Sequence, residues 1–291
     1  MSREGMEFKT ILWATDFSKA SLNSLDYALY FKKHFNSKIV ALHVIPELPP
    51  TMYDDVFIDK KDLEFNFMRI RNSAEKRLNS LVKRKNIKFD KVILQEGTTY
   101  KVIDEVAKKE KADIIFIGKK SHPLWEKLLI GSTTSRLIHH SKIPLFLVSK
   151  KRRNIEFSDI LVPVDLEPIM NKEIKYAEVL AREFDSVVDV LHVMELYEYE
   201  FPFDILSDIV GKVSKKLDTK LKGVQAKSKY NIIKAISASE AIIEYAKKNR
   251  SDMIVLATHS RSGISKFLFG SVSEKIVSSS VIPILLIPNN E

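Results

Sequence analysis

Apolar residues in this chain fall into short unbroken runs, separated by longer stretches in which they recur every three or four positions. Ile11-Leu12-Trp13-Ala14, Ile114-Ile115-Phe116-Ile117 and Met253-Ile254-Val255-Leu256 are runs of strand length. Unbroken apolar character, rather than alternation with polar residues, marks strands covered on both faces of a parallel sheet. Between the first such runs, Leu22, Leu25 and Leu29 share one face of a helix. In the first half the pattern predicts strands at 10–14, 38–45, 91–94, 113–118 and 144–148, and helices at 18–35, 63–84, 100–111 and 132–140. In the second half it predicts strands at 160–164, 188–193, 232–236, 253–256 and 284–287, and helices at 171–184, 204–225, 239–248 and 271–278. Pro168 suits the first turn of its helix, where a missing N–H costs nothing.

The two halves are one pattern read twice. Thr10–Asp16 matches Asp159–Asp165, and Ala41-Leu42-His43-Val44 matches Val190-Leu191-His192-Val193, both at an offset of 149. Gly131-Ser132 and Gly270-Ser271 match at 139, as do Ile143-Pro144 and Ile282-Pro283. The second copy is therefore ten residues shorter in between. Each copy has the size of one domain rather than of a solenoid repeat. The expected domains are 1–150 and 155–291, joined by the charged linker Lys150-Lys151-Arg152-Arg153-Asn154. Five strands with helical crossovers make each an α/β domain, a parallel sheet with helices on both faces.

The loop after the fourth strand carries the candidate chemistry. It reads Gly118, two residues, Ser121, nine residues, Gly131-Ser132; the second copy reads Ala257, two residues, Ser260, nine residues, Gly270-Ser271. A helix start offers unpaired N–H groups and the positive end of a dipole, a natural seat for phosphate. A glycine there lets a ligand approach the backbone, and the serine adds a hydroxyl. Taken singly, either loop reads equally as a helix cap.

The doubled frame closely resembles the G-x2-G-x9-G-[ST] loop of the universal stress protein family, which binds the ribose and phosphates of ATP there. The resemblance spans nearly the whole chain as two tandem family domains. It implies an adenine-nucleotide alpha hydrolase-like fold, with strand order 3-2-1-4-5 and nucleotide at the switch point between strands 1 and 4. It implies ATP as the cofactor, accompanied by magnesium where that ion arrives with the phosphates. The implied contacts are Ala14, Thr15, Asp16, Val44, Gly118, Ser121, Gly131, Ser132 and Thr133 in the first domain. In the second they are Pro163, Val164, Asp165, Val193, Ala257, Ser260, Arg261, Gly270, Ser271 and Val272. The chain departs from the motif at Ser121 and Ser260, where the family has its second glycine, and at Ala257, whose methyl would crowd the ligand.

Asp16 and Asp165 end the first strands, where a carboxylate either accepts from a nucleoside hydroxyl or amine, or caps the following helix. Val44 and Val193 match the family position whose backbone holds adenine. His43 and His192 read as residues packed at the strand ends, not as ligands. His122 and His259 lie in the phosphate loops, and Lys119-Lys120 either assist phosphate or are solvated. His139-His140 lack the i, i+4 spacing of a metal pair, and no structural metal site is expected.

Composition changes this picture little. The chain of 291 residues has no cysteine, which excludes disulfides, thiolate metal sites and a cysteine nucleophile. No run approaches a membrane span, the first residues lack an apolar signal core, and the expected location is cytoplasmic. Residues 1–153 carry 30 Lys+Arg against 18 Asp+Glu, while 154–291 carry 17 against 20. The basic half reads as a solvated surface, because no aromatic-interleaved basic strand accompanies it, so nucleic acid is not an expected partner. The P-loop, G-x-G-x-x-G and G-x-S-x-G signatures are absent. Glu274 has only Ser135 as its counterpart, so no ATPase is expected, although weak hydrolysis stays open.

The reading is a non-catalytic ATP-binding protein with a stress or signalling role and an unidentified protein partner. The alternative is a pseudo-dimeric interaction module that has lost nucleotide; a nucleotidyl transferase would need the H-x-G-H run that is missing. The two halves are expected to form separate sheets, with no continuous sheet shared between them. Their last strands, 144–148 and 283–287, are expected to pair antiparallel across a pseudo-twofold axis, burying an otherwise bare apolar edge. A homodimer of whole chains is a further option.

Overall fold

The computed structural model of the chain describes residues 7–46, 60–119, 131–166, 172–196, 203–258 and 270–288. The expected Pro168, Lys120, Ser121, His122, His259, Ser260 and Arg261 fall outside them. In the first half, β1 (Thr10–Thr15), α1 (Lys19–Phe35), β2 (Lys38–Ile45), α2 (Lys60–Lys85), β3 (Lys91–Glu96), α3 (Thr99–Lys109), β4 (Ile114–Gly118), α4 (Ser132–His140) and β5 (Leu145–Val148) follow one another. The second half repeats the order with β6 (Asp159–Pro163), α5 (Lys172–Phe184), β7 (Val187–Glu195), α6 (Phe203–Leu221), β8 (Ser228–Ala235), α7 (Ala238–Lys248), β9 (Met253–Ala257), α8 (Ser271–Ser279) and β10 (Ile284–Ile287).

The helix ends follow local chemistry that repeats with the sequence offsets. Asn36 and Asp185, 149 apart, adopt left-handed φ of 52° and 53° just past α1 and α5. Lys111 and Arg250, 139 apart, do the same after α3 and α7. Such residues end a helix by turning its last amides back onto free carbonyls. Gly223, at φ +97°, turns the chain after α6, so that helix stops at Leu221 rather than at the expected residue 225. β8 in turn starts at Ser228, four residues before the apolar run that predicted it. Its polar first residues are held by the β7 ladder, from Val188↔Ser228 onward.

Each half is a five-stranded parallel sheet in the order 3-2-1-4-5, as the resemblance implied. The expectation of two separate sheets is corrected, because β5 and β10 pair antiparallel in the register Ile284↔Leu147, Leu285↔Phe146, Leu286↔Leu145. This is the edge pairing expected from the sequence, and it fuses the halves into one ten-stranded sheet, β3-β2-β1-β4-β5-β10-β9-β6-β7-β8. Two edges that would each be bare satisfy one another.

Strand alternation then sends the seam residues to two cores, one on each face of the sheet. Phe146, Val148, Leu285 and Ile287 join the core under α1 and α5. Leu145, Leu147, Ile284 and Leu286 join the core under α3, α4, α7 and α8. Both cores run through both halves. On the first face the seam is aromatic: Phe31 meets Phe146 edge-on at 5.2 Å and Phe184 at 5.3 Å, while Phe157, just ahead of β6, stacks on Phe184 at 5.2 Å. The linker is itself pinned, with Lys151 on Asp26 at 2.7 Å and Arg152 on Asp252.

Candidate functional site

The order 3-2-1-4-5 places β1 beside β4, and β6 beside β9, where the chain reverses the direction of its crossovers. At such a switch point the loops leave to opposite faces and open a crevice at the carboxyl ends of the strands. Thr15 ends β1 and Asp16 follows it, Val44 lies at the same level of β2, and Gly118 ends β4. Ala14, Thr15 and Val44 are buried, while the Asp16 carboxylate is exposed. The second half brings Pro163, Val164, Asp165, Val193 and Ala257 together in the same way.

Beneath each crevice a histidine ties two strands. His43 Nδ1 donates to the Thr15 carbonyl at 2.8 Å, and His192 Nδ1 to the Val164 carbonyl at 3.0 Å. A carbonyl only accepts, so Nδ1 carries the proton in both rings. The two histidines therefore hold the carbonyl that precedes Asp16 or Asp165, the packing role expected of them.

The two aspartates differ. Asp16 accepts from the Ser18 amide at 2.9 Å, and Ser18 is the N-cap of α1. Burial pushes its carboxyl up, but hydrogen bonds from Ser18 and Ser21 more than offset this and hold it below the ordinary carboxylate range. Asp165 instead turns back on the neighbouring Leu166 amide at 2.7 Å. Between Asp16 and Ser18, Phe17 sits at φ 60°, its ring 4.7 Å from the His43 ring with the Arg77 guanidinium 5.1 Å above it.

Gly131 is the N-cap of α4 and Gly270 that of α8, with φ of −55° and −62°. The first internal bonds run from Ser135 to Gly131 and from Glu274 to Gly270, each 2.9 Å. The amides of Ser132, Thr133 and Thr134, and those of Ser271, Val272 and Ser273, lie ahead of those bonds and have no acceptor within the helix. Glycine supplies no side-chain cap. Ser132 and Ser271 are exposed.

The two glycines of the first loop have different surroundings. A Cβ on Gly118 would lie 2.3 Å from the Ser21 nitrogen and 2.4 Å from the Ala20 carbonyl carbon, so α1 occupies the space a side chain would need. A Cβ on Gly131 would meet nothing within 4 Å. The second domain changes the crevice elsewhere. The β1–β4 ladder runs to Ala14↔Ile117, but β6–β9 stops at Leu161↔Ile254. Val164 N–H bonds β7, so Pro163 faces β9 with no N–H to give, and the ladder ends there.

Lys119 departs from both expected roles. It neither reaches the helix start nor meets solvent: it is 1 % exposed, and its ammonium donates to the Val277 carbonyl at 2.6 Å and the Ser280 carbonyl at 2.5 Å. Both acceptors belong to the far end of α8, in the other half of the molecule. Nothing in the residue string pointed there, because the contact spans 158 residues and a seam visible only in three dimensions. Among the described residues no cluster of metal-ligating side chains is present.

The model of the universal stress protein family matches the chain twice, over residues 7–149 and 156–288. A curated relative, universal stress protein MJ0577 of Methanocaldococcus jannaschii, is 28 % identical over 156 residues, covering 50 % of this chain and 96 % of its own. Universal stress protein MJ0531 of the same organism is 24 % identical over 140 residues, covering 45 % and 82 %. Among solved structures, a universal stress protein from Archaeoglobus fulgidus aligns over 97 % of this chain and 98 % of its own, with a TM-score of 0.71 at 20 % identity, a likeness of fold. With two family matches spanning almost its full length on one fused sheet, the chain belongs to the universal stress protein family as a tandem, two-domain member.

Proposed function

We propose that this protein binds ATP without turning it over, with its phosphates at Gly131-Ser132-Thr133 or Gly270-Ser271-Val272, in a stress-response or signalling role. The nucleoside end of each site is formed by Ala14, Thr15, Asp16 and Val44, or by Pro163, Val164, Asp165 and Val193. Gly118 and Ser121, or Ala257, Ser260 and Arg261, complete the loop between. The observation that carries this reading is Gly131. Its φ suits any residue and a side chain would find open space, so packing gives no reason for glycine. A ligand lying against the backbone does give one. Free helix-start amides then supply donors for phosphate, and the dipole favours its charge. Asp16 would repel phosphate and so belongs beside the nucleoside. Magnesium would accompany the phosphates, held by them and by water.

The alternative, a pseudo-dimeric protein-interaction module that has lost nucleotide binding in one or both domains, draws on Ala257, which stands where the first domain has Gly118. Calorimetry with magnesium-ATP, together with the mass of small molecules released from denatured fresh protein, separates the two. The nucleotide reading expects heat of binding or a co-purified adenine nucleotide. Neither at millimolar ligand would overturn it.

A further inference from the structure

Lys119 is a residue of the first domain whose charge is spent on the second. Its own amide stays at home, donating to the Val148 carbonyl at 2.8 Å. Its side chain crosses the seam to the last turn of α8 and its C-cap, Val277 and Ser280. The pseudosymmetric position, 139 residues on, is Thr258. There the amide makes the matching bond to Ile287 at 2.9 Å, and the hydroxyl lies 3.5 Å from that same carbonyl. A threonine carries no charge, so position 258 cannot return the cation that Lys119 supplies.

Burying an ammonium is expensive, and an apolar side chain would fill the seam without that cost. Burial pushes the Lys119 ammonium down to about 8. Two carbonyls at the negative end of a helix dipole favour its charged form. The groups its ammonium bonds among the described residues are those two carbonyls. The other end of α8 is Gly270-Ser271. The helix is nine residues long, about 13 Å. A cation at its C-terminus and an anion at its N-terminus both complement one dipole, and each makes the other more favourable.

We infer that Lys119 is a positioning residue for the second domain's nucleotide site, fixing and polarising α8 from its far end, while the matching position for the first site, Thr258, holds no cation. This rests on the nucleotide reading above. The second site is then incomplete without the first domain, and the two sites differ despite their matching loops.

The test isolates each site in the full chain. Ser132→Asp places a carboxylate at the first helix start and leaves the second site; Ser271→Asp does the reverse. Lys119→Met removes the charge at similar length. In the Ser132→Asp background, Lys119→Met should weaken magnesium-ATP binding at least fivefold by calorimetry at pH 7.5. In the Ser271→Asp background the change should stay under twofold. Second-site affinity should also fall between pH 7 and 9.5 with lysine present and stay flat with methionine. Equal losses at both sites, no loss at the second, or the same pH profile in both forms would overturn the inference. Should the methionine variant fail to fold, Lys119→Thr, the residue found at 258, carries the test. If the unsubstituted chain takes no magnesium-ATP, the nucleotide reading falls and this inference with it. If it binds and the Lys119 variants are silent, this inference falls alone.

Discussion

Gly118 and Ser21 lie so close that a Cβ on the glycine would stand 2.3 Å from the serine nitrogen. That amide is already engaged by the Ser18 hydroxyl at 3.3 Å, within the cap of α1. The helix start cannot retreat without losing its cap. Gly118→Ala should therefore destabilise the chain by roughly 2 kcal/mol or more, the cost of overpacking a rigid contact. Gly131→Ala, by contrast, should change stability by no more than about 0.5 kcal/mol, as at a surface position without strain. It should nonetheless weaken ATP about tenfold, some 1.4 kcal/mol. Urea melts and ATP titrations of the two variants check both arms. Equal melting of the two would show that the contact at Gly118 yields easily.

Lys119 gives a pH signature in stability as well. Its folded value, about 8, lies below its ordinary 10.5. For a base lowered by folding, the protonated form is the one penalised. The penalty is complete below about pH 8 and is relieved as the pH rises towards 10.5, where the unfolded chain also loses the proton. The stability of the native chain relative to Lys119→Met should thus rise across that window, by at most about 3 kcal/mol. Denaturant melts of both proteins at pH 7, 8, 9 and 10 read the difference. Parallel curves would mean that the two carbonyls of α8 cancel the effect of burial.

The sequence showed the two copies, their strand order by resemblance, and the final strands that pair. Those features rest on local patterns repeated at fixed offsets. What stayed hidden depends on residues far apart. Lys119 reads as assisting phosphate or as solvated because its neighbours are Gly118 and Lys120, whereas its acceptors lie across the seam. Gly118 read as a ligand position, and the α1 backbone beside it supplies an independent reason for glycine. β8 was underestimated because Ser228, Lys229 and Asn231 are polar; its partner β7, not its own composition, extends it.

The fused seam makes a further prediction. Leu147 and Leu286 are at most 1 % exposed, in the core that runs through both domains. Each leucine contributes about 1.5–3 kcal/mol by burial, and a lysine in its place adds a desolvation cost. Leu147→Lys with Leu286→Lys should part β5 from β10, split one melting transition into two and expose residues 150–153 to trypsin. Unchanged melting and proteolysis in a folded protein would count against shared cores.

The second domain holds a polar cluster where the first is apolar, and this sets up the last prediction. Asp189 on β7 is fully buried and accepts from Asn231 Nδ2 at 3.0 Å, Tyr245 Oη at 2.9 Å and Lys229 Nζ at 3.2 Å. Its own burial, then the hydrogen bond to Asp189 and that carboxylate's charge, push the Tyr245 hydroxyl well above its ordinary range. At the offset of 149, Asp189 corresponds to Val40; at 139, Tyr245 corresponds to Val106. Asn231 lies across from Leu191 as Ile93 lies across from Leu42. The first domain thus closes the same place with Val40, Ile93 and Val106, of which both valines are buried. A buried charge network is costly to build and costlier to break in part. Asp189→Val alone should lose roughly 3–5 kcal/mol, because it leaves an amide and a hydroxyl without their acceptor and a cation without one of its counter-charges. The triple change Asp189→Val, Asn231→Ile, Tyr245→Val should recover most of that loss, since it removes the stranded polar groups together. Urea melts of the single and triple variants decide it: a triple variant no more stable than the single would mean that the second domain's backbone no longer accepts the apolar packing of the first.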